Sequence, residues 1–105
     1  MTTTFDDREK GFEQQFANDE ALKFKATARR DRLLGLWAAD KLGLSGPAAD
    51  AYAKELVVEQ IERHDVFGKV RRDFDAKSVA QTDEQIRRVM LELLARAVSE
   101  IKAGR

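Results

Sequence analysis

Thr82-Asp83-Glu84-Gln85-Ile86-Arg87-Arg88-Val89-Met90-Leu91-Glu92-Leu93-Leu94-Ala95-Arg96-Ala97-Val98-Ser99-Glu100-Ile101 is the stretch that settles the fold class. Thr82 with Gln85 three residues later makes a capping box. The threonine hydroxyl accepts the N–H of residue 85, and the glutamine amide reaches back to the N–H of residue 82. Asp83 and Glu84 put negative charge in the first turn, where the helix dipole favours it. Ile86, Val89, Met90, Leu93, Leu94, Ala97 and Ile101 then recur at helical spacing and form a wide apolar face. A helix with such a face must be covered by other elements.

Working upstream, the other elements also read as helices. One is expected from about Asp19 to Leu42, with Asn18 as N-cap and Asp19 and Glu20 in the first turn. Leu22, Ala26, Leu33, Leu36 and Trp37 share one side of it. Gly43 supplies a left-handed C′ position, and Leu44 supplies the accompanying C″ contact. A second helix follows Ser45-Gly46, with Pro47 at N1, where a missing N–H costs nothing. Its stripe is Ala49, Tyr52, Ala53, Leu56 and Val57. A bend or short turn is expected between Arg63 and Gly68, because glycine costs about 1 kcal/mol in a helix interior relative to alanine. A third, shorter helix carries Phe67, Val70 and Phe74 and fades near Lys77. Strong helix formers dominate, and no stretch alternates long enough for a strand. The chain is therefore expected to be all-α: a small four-helix bundle over residues 18–105, preceded by a flexible segment, residues 1–17.

Composition narrows the function. The chain has 105 residues, with 19 Lys+Arg against 19 Asp+Glu, so its formal net charge is zero. A zero balance argues against nucleic acid, because phosphate-driven affinity needs a basic footprint. Cysteine is absent and His64 is the single histidine, which excludes Cys-ligated and multi-His metal sites. His64 itself reads as a turn or helix-end residue. No phosphate-binding glycine loop, zinc-protease helix or nucleophile elbow occurs, so an enzyme is not expected and no cofactor is implied. No apolar run reaches the ~20 residues of a membrane helix. The acidic start has no basic n-region or apolar h-region of a secretory signal.

The first residues have a different pattern. Phe5, Phe12 and Phe16 fall within about 40° of one another on a helical wheel. Asp6, Asp7, Arg8, Glu9, Lys10 and Glu13 surround that narrow aromatic edge. Residues 6–17 are few for an isolated helix, and Gly11 weakens them further. Burying three phenylalanines returns about 1.5–3 kcal/mol each. Ordering the backbone costs about 1–2 kcal/mol per residue. A receptor groove must therefore add polar contacts if this strip is to fold on a partner. The plainer reading is a frayed terminus whose rings dock on their own bundle.

Charge is unevenly placed around this boundary. Residues 1–20 hold six acids and two bases, and residues 21–36 hold Lys23, Lys25, Arg29, Arg30 and Arg32 against Asp31. A solvated helix face is the plain reading of that basic cluster. The sharper one is a nucleotide-sensing module in which Lys23, Lys25, Arg29 and Arg30 contact phosphates.

Two stretches go beyond pattern: Thr3 to Glu13, and Glu20 to Gly43 with its Arg29-Arg30-Asp31-Arg32-Leu33-Leu34-Gly35-Leu36-Trp37 run. Both resemble the zeta subunit of alphaproteobacterial F-type ATP synthases, and the likeness spans the whole chain. The resemblance implies an inhibitor that blocks ATP hydrolysis at the catalytic head, similar in role to the mitochondrial ATPase inhibitor protein. It implies that the N-terminal segment inhibits and that the remainder is a four-helix bundle. Carried over by position, the inhibitory element is Thr3 to about Ala17. Within it the chemistry of the side chains, rather than the family pattern, leads us to expect Phe5, Phe12 and Phe16 in hydrophobic pockets of the partner and Asp6, Asp7, Arg8, Glu9, Lys10 and Glu13 against its polar groups. The partners implied are the catalytic and central-stalk subunits, reached at the cytoplasmic face of the inner membrane. A free chain is expected to be a monomer.

Overall fold

The structure, a computed structural model, describes residues 19–104. The expected N-cap Asn18 and the phenylalanine strip lie outside the described residues. Four helices follow one another: α1 (Glu20–Lys41), α2 (Gly46–Glu62), α3 (Val66–Ala76) and α4 (Asp83–Lys102). The all-α bundle read from the sequence is present, and the described residues contain no strand.

Local chemistry sets the ends of these helices. Asp19, not Asn18, is the N-cap of α1, and its Oδ1 accepts the Leu22 N–H at 2.9 Å. At the other end Gly43 has φ +79°. The Leu44 N–H donates to the Ala39 carbonyl at 2.8 Å, and the Gly43 N–H donates to that of Asp40 at 3.1 Å. This is the Schellman closure expected of Gly43 and Leu44. Helix α2 begins one residue earlier than expected, at Gly46, with Pro47 still in its first turn. Both halves of the capping box of α4 form: Gln85 N–H to Thr82 Oγ1 at 3.1 Å, and Thr82 N–H to Gln85 Oε1 at 2.8 Å.

The turn between α2 and α3 is tighter than expected. It occupies Arg63, His64 and Asp65, with His64 at φ 56°. Gly68 lies outside it, in the first turn of α3. Its role is to leave room for the cap. The Gly68 N–H donates to Asp65 Oδ1 at 3.1 Å, and a Cβ at position 68 would strike that carboxylate.

Packing follows the connections. The short turn after Gly43 lays α2 antiparallel to α1, and α4 also runs antiparallel to α1. Leu34, Leu56, Val70, Phe74 and Ile86 are fully buried and join all four helices in one core. Ala26 and Val98 make a second cluster towards the start of α1, flanked by Leu22, Leu94 and Ile101. Trp37 is half-buried rather than central, with its ring 5.6 Å from that of Phe74.

The expected stripes need correction. On α1 the buried positions are Ala26, Asp31, Leu34, Gly35, Ala38 and Ala39, while Leu33, Leu36 and Trp37 stay half-buried. The physical reason is residue size. Gly35, Ala38 and Ala39 let α2 approach closely, so the small side chains lie deepest. On α4, Leu91 and Val98 are buried, whereas Val89, Met90, Leu93 and Leu94 are half-buried.

Polar contacts tie α3 to its neighbours. The Tyr52 hydroxyl on α2 donates to Asp73 Oδ2 at 2.7 Å. The Lys69 ammonium reaches the same carboxylate at 3.1 Å and lies over the Tyr52 ring, 5.2 Å from its centroid. Burial and the Asp73 carboxylate push the Tyr52 pKa up, which keeps the hydroxyl a donor. Arg71 joins Asp75 on its own helix to the Gln81 carbonyl and to Asp83 at the head of α4.

Helices α1 and α2 approach closely at Gly35. A Cβ there would overlap the Cα of Ala53 on α2. Gly35→Ala is expected to lower the unfolding free energy by about 2–3 kcal/mol, in the upper part of the range for overpacked cores. Urea denaturation with a CD readout checks this, and an unchanged midpoint would mean that the helices part without cost.

Candidate functional site

The described surface has a concavity at one end of the bundle. At 1.5 Å per residue, the 22 residues of α1 extend about 33 Å and the 11 of α3 about 16 Å. Helix α3 thus covers only part of the length of α1. Beyond its first turn a groove of about 710 Å³ remains, bounded by the first half of α1, the end of α2, the turn at His64-Asp65 and the middle of α4.

The walls of the groove are apolar and its floor is charged. Phe24, Val57, Ile61, Phe67, Met90 and Leu94 line it. Phe24 is 63% exposed and Ile61 57%. Phe67 is covered on one face by the Arg87 guanidinium, 4.0 Å from the ring centroid. Arg30 and Asp31 also line the groove. Arg30 Nε donates to Asp31 Oδ1 at 2.7 Å; the Arg30 side chain is 13% exposed and that of Asp31 is wholly buried. Asp31 Oδ2 meets no hydrogen-bond partner among the described residues. Arg30 Nη1 and Nη2 meet no acceptor among them either, so within the described residues the guanidinium is held through its Nε.

The helix sorts four residues of the basic cluster into two pairs. At 100° per residue, Lys23 and Arg30 fall on one side of α1, and Lys25 and Arg29 fall well round from it. Lys23 and Arg30 line the groove. Arg29 instead turns towards α4, with its Nη1 3.6 Å from Glu100 Oε1. Adjacent Arg29 and Arg30 therefore diverge rather than form a clamp. His64 is exposed in its turn at the groove rim. The residues expected to bind the partner, Phe5 to Phe16, lie outside the described residues. Among the described residues no group of His, Asp or Glu side chains is placed to hold a metal ion. No helix of theirs is long and apolar enough to cross a membrane.

Two buried acids escape a pattern reading. Asp31 falls on the helical wheel between Leu34, Gly35 and Ala38, which was the available signal for its burial. Glu59 is 5% exposed; its Oε1 accepts from Arg63 at 3.3 Å, and its Oε2 meets no partner among the described residues.

Burial pushes the Asp31 carboxyl above its ordinary value of 3.8, and the charge and hydrogen bond of Arg30 offset this only in part. The folded chain therefore holds this proton more tightly than the unfolded chain. The resulting stability is full below the ordinary value and is lost as pH rises through the raised one. The unfolding free energy of the unsubstituted chain minus that of Asp31→Asn should thus fall as pH rises from 3.8. Urea titrations at successive pH values measure it; a flat difference would sink the assignment.

A family model described as ATPase inhibitor subunit zeta matches residues 1–100. No curated protein matches the sequence. The family match takes in the N-terminal phenylalanine strip as well as nearly all of the bundle, and it agrees with the likeness read at Thr3–Glu13 and Glu20–Gly43. On a match of that extent, the chain belongs to the ATPase inhibitor subunit zeta family.

Proposed function

We propose that the chain blocks ATP hydrolysis by the F-type ATP synthase by inserting its N-terminal segment, as a helix, into a catalytic interface of the head. The observation that carries this reading is the family match, which includes residues 1–17. Phe5, Phe12 and Phe16 form the apolar edge of the wedge, and Asp6, Asp7, Arg8, Glu9, Lys10 and Glu13 meet the polar walls of its receptor.

The physics of the block is differential affinity. A rotary ATPase must open and close its catalytic interfaces in turn. A helix that binds one closed arrangement better than the others shifts the population towards it and halts the cycle. A segment that folds as the interface closes can enter a half-open one. The bundle remains outside and holds the segment near its target, which raises its effective concentration there. In this reading the chain acts as a monomer, contacts the catalytic and central-stalk subunits, and works at the cytoplasmic face of the inner membrane. The nucleotide-sensing alternative has less support, because Lys23, Lys25, Arg29 and Arg30 do not converge on one phosphate-sized site.

ATP hydrolysis by the isolated catalytic head, with the chain added, tests the wedge. Deleting residues 1–17 should abolish inhibition and leave the helical CD signal of the bundle. In the full chain, Phe12→Ala should raise the half-inhibitory concentration about tenfold or more, as truncation of a buried aromatic anchor does. Full inhibition by the shortened chain would refute the assignment.

A further inference from the structure

The length of chain between wedge and bundle decides which end of the bundle meets the head. The segment assigned to the wedge ends at Ala17 and α1 is capped at Asp19, so Asn18 alone separates them. Consecutive Cα atoms are about 3.8 Å apart, so Ala17 lies within about 8 Å of Asp19. Asp19 has φ −139° and ψ 83°, and its carboxylate caps the Leu22 N–H. Helix α1 therefore stops there and does not run on as a rod that could hold the bundle at a distance. A connection this short leaves the bundle no room to stand clear of the entrance that the wedge uses.

We infer that the catalytic head covers one end of the bundle, made of the first turn of α1, the last turn of α4 and the turn at 63–65. The inference rests on the reading of residues 1–17 as the wedge. The packing shows what lies beside Asp19. Ala26 pairs with Val98, flanked by Leu22 and Ile101, so the antiparallel register sets Lys102 level with Leu22 and Asp83 level with Lys41. The turn at His64-Asp65 borders the same groove as Glu20 and Lys23. The connections at 43–45 and 79–82 belong to the opposite end, about 33 Å away along the 22 residues of α1. The apolar surface is distributed in the same sense. Phe24 and Ile61, the two most exposed of the large apolar side chains, both lie at the Asp19 end. Among the described residues the far end exposes no large apolar side chain to that degree. Exposed apolar surface gathered in one place marks a protein contact. The far end is left in solvent.

The experiment uses the full chain and the isolated catalytic head. The chain has no cysteine, so a single introduced cysteine takes a maleimide-linked polyethylene glycol at a chosen site. Glu62→Cys and Lys102→Cys mark the near end, and Ser45→Cys and Ala80→Cys mark the far end; all four positions are exposed. Unlabelled, each variant should keep the helical CD signal and inhibit as the unsubstituted chain does. The polymer at 62 or 102 should raise the half-inhibitory concentration about tenfold or more, a loss of about 1.4 kcal/mol of binding. The polymer at 45 or 80 should leave it unchanged. Hydrogen exchange of the unlabelled, unsubstituted chain separates direct cover from crowding of the wedge by the polymer. On binding the head, the amides of residues 20–22, 63–65 and 103–104 should exchange more slowly, and those of 43–45 and 79–82 should not change. Equal losses from labels at both ends would overturn the proposal. So would added protection at 43–45 and 79–82 with none at the near end. So would an unprotected near end while inhibition still requires residues 1–17. If inhibition survives deletion of residues 1–17, the wedge reading fails, and amide protection alone decides which end the head covers.

Discussion

The bundle depends on the crossing of α1 and α2 at Gly35. There the two backbones are so close that no side chain fits between Gly35 and Ala53. Small residues extend this contact: Ala38 and Ala39 on α1 are both fully buried. Close approach maximises dispersion contacts along the hairpin and leaves no cavity to be filled by larger groups. It also sets the azimuth of α1. With Gly35 facing α2, Leu34 and Asp31 turn inward, and Leu33, Leu36 and Trp37 come to the flanks of the core. The remaining helices pack around this pair, with Phe74 of α3 and Ile86 of α4 fully buried against it.

Helix length decides where the bundle is left incomplete. Two turns of different design, the Gly43 closure and the Asp65 cap, limit how far each helix runs. Helix α3 is half as long as α1, so one end of the bundle has three helices where the other has four. That shortfall exposes Phe24 and Ile61 and opens the groove. Its origin is local. The chain must reverse at Arg63–Asp65, and His64 takes a left-handed conformation that a helix cannot continue.

The Arg30–Asp31 pair sits where these two constraints meet. Asp31 lies on the face that Gly35 turns inward, and it is wholly buried as a result. Burying a carboxylate with one of its oxygens unsatisfied works against the fold. The opposing gain is positional. An arginine that would otherwise sample many rotamers is held at the floor of an apolar groove. That stability cost is concentrated at a surface concavity of a chain whose family is described as an ATPase inhibitor subunit.

Much of the fold could be read from local chemistry. Thr82 with Gln85, Gly43 with Leu44, and Pro47 near a helix start each define an end within a few residues of chain, because caps are satisfied by near neighbours. The Thr3–Glu13 and Arg29–Trp37 runs were enough to point to the family. Which face of α1 is deepest was not legible there. A leucine-and-tryptophan stripe carries more apolar area, yet Gly35 and the alanines win because only they permit contact between backbones. The burial of Asp31 and Glu59, the separation of Arg29 from Arg30, and the groove itself belong to the same class. Sequence alone determined the helices, the closures at Gly43 and Thr82, and the order of the elements, since those depend on residues at most a few positions apart. Tertiary structure alone decided what is buried and what is brought together, since that depends on how closely helices distant in the chain approach each other.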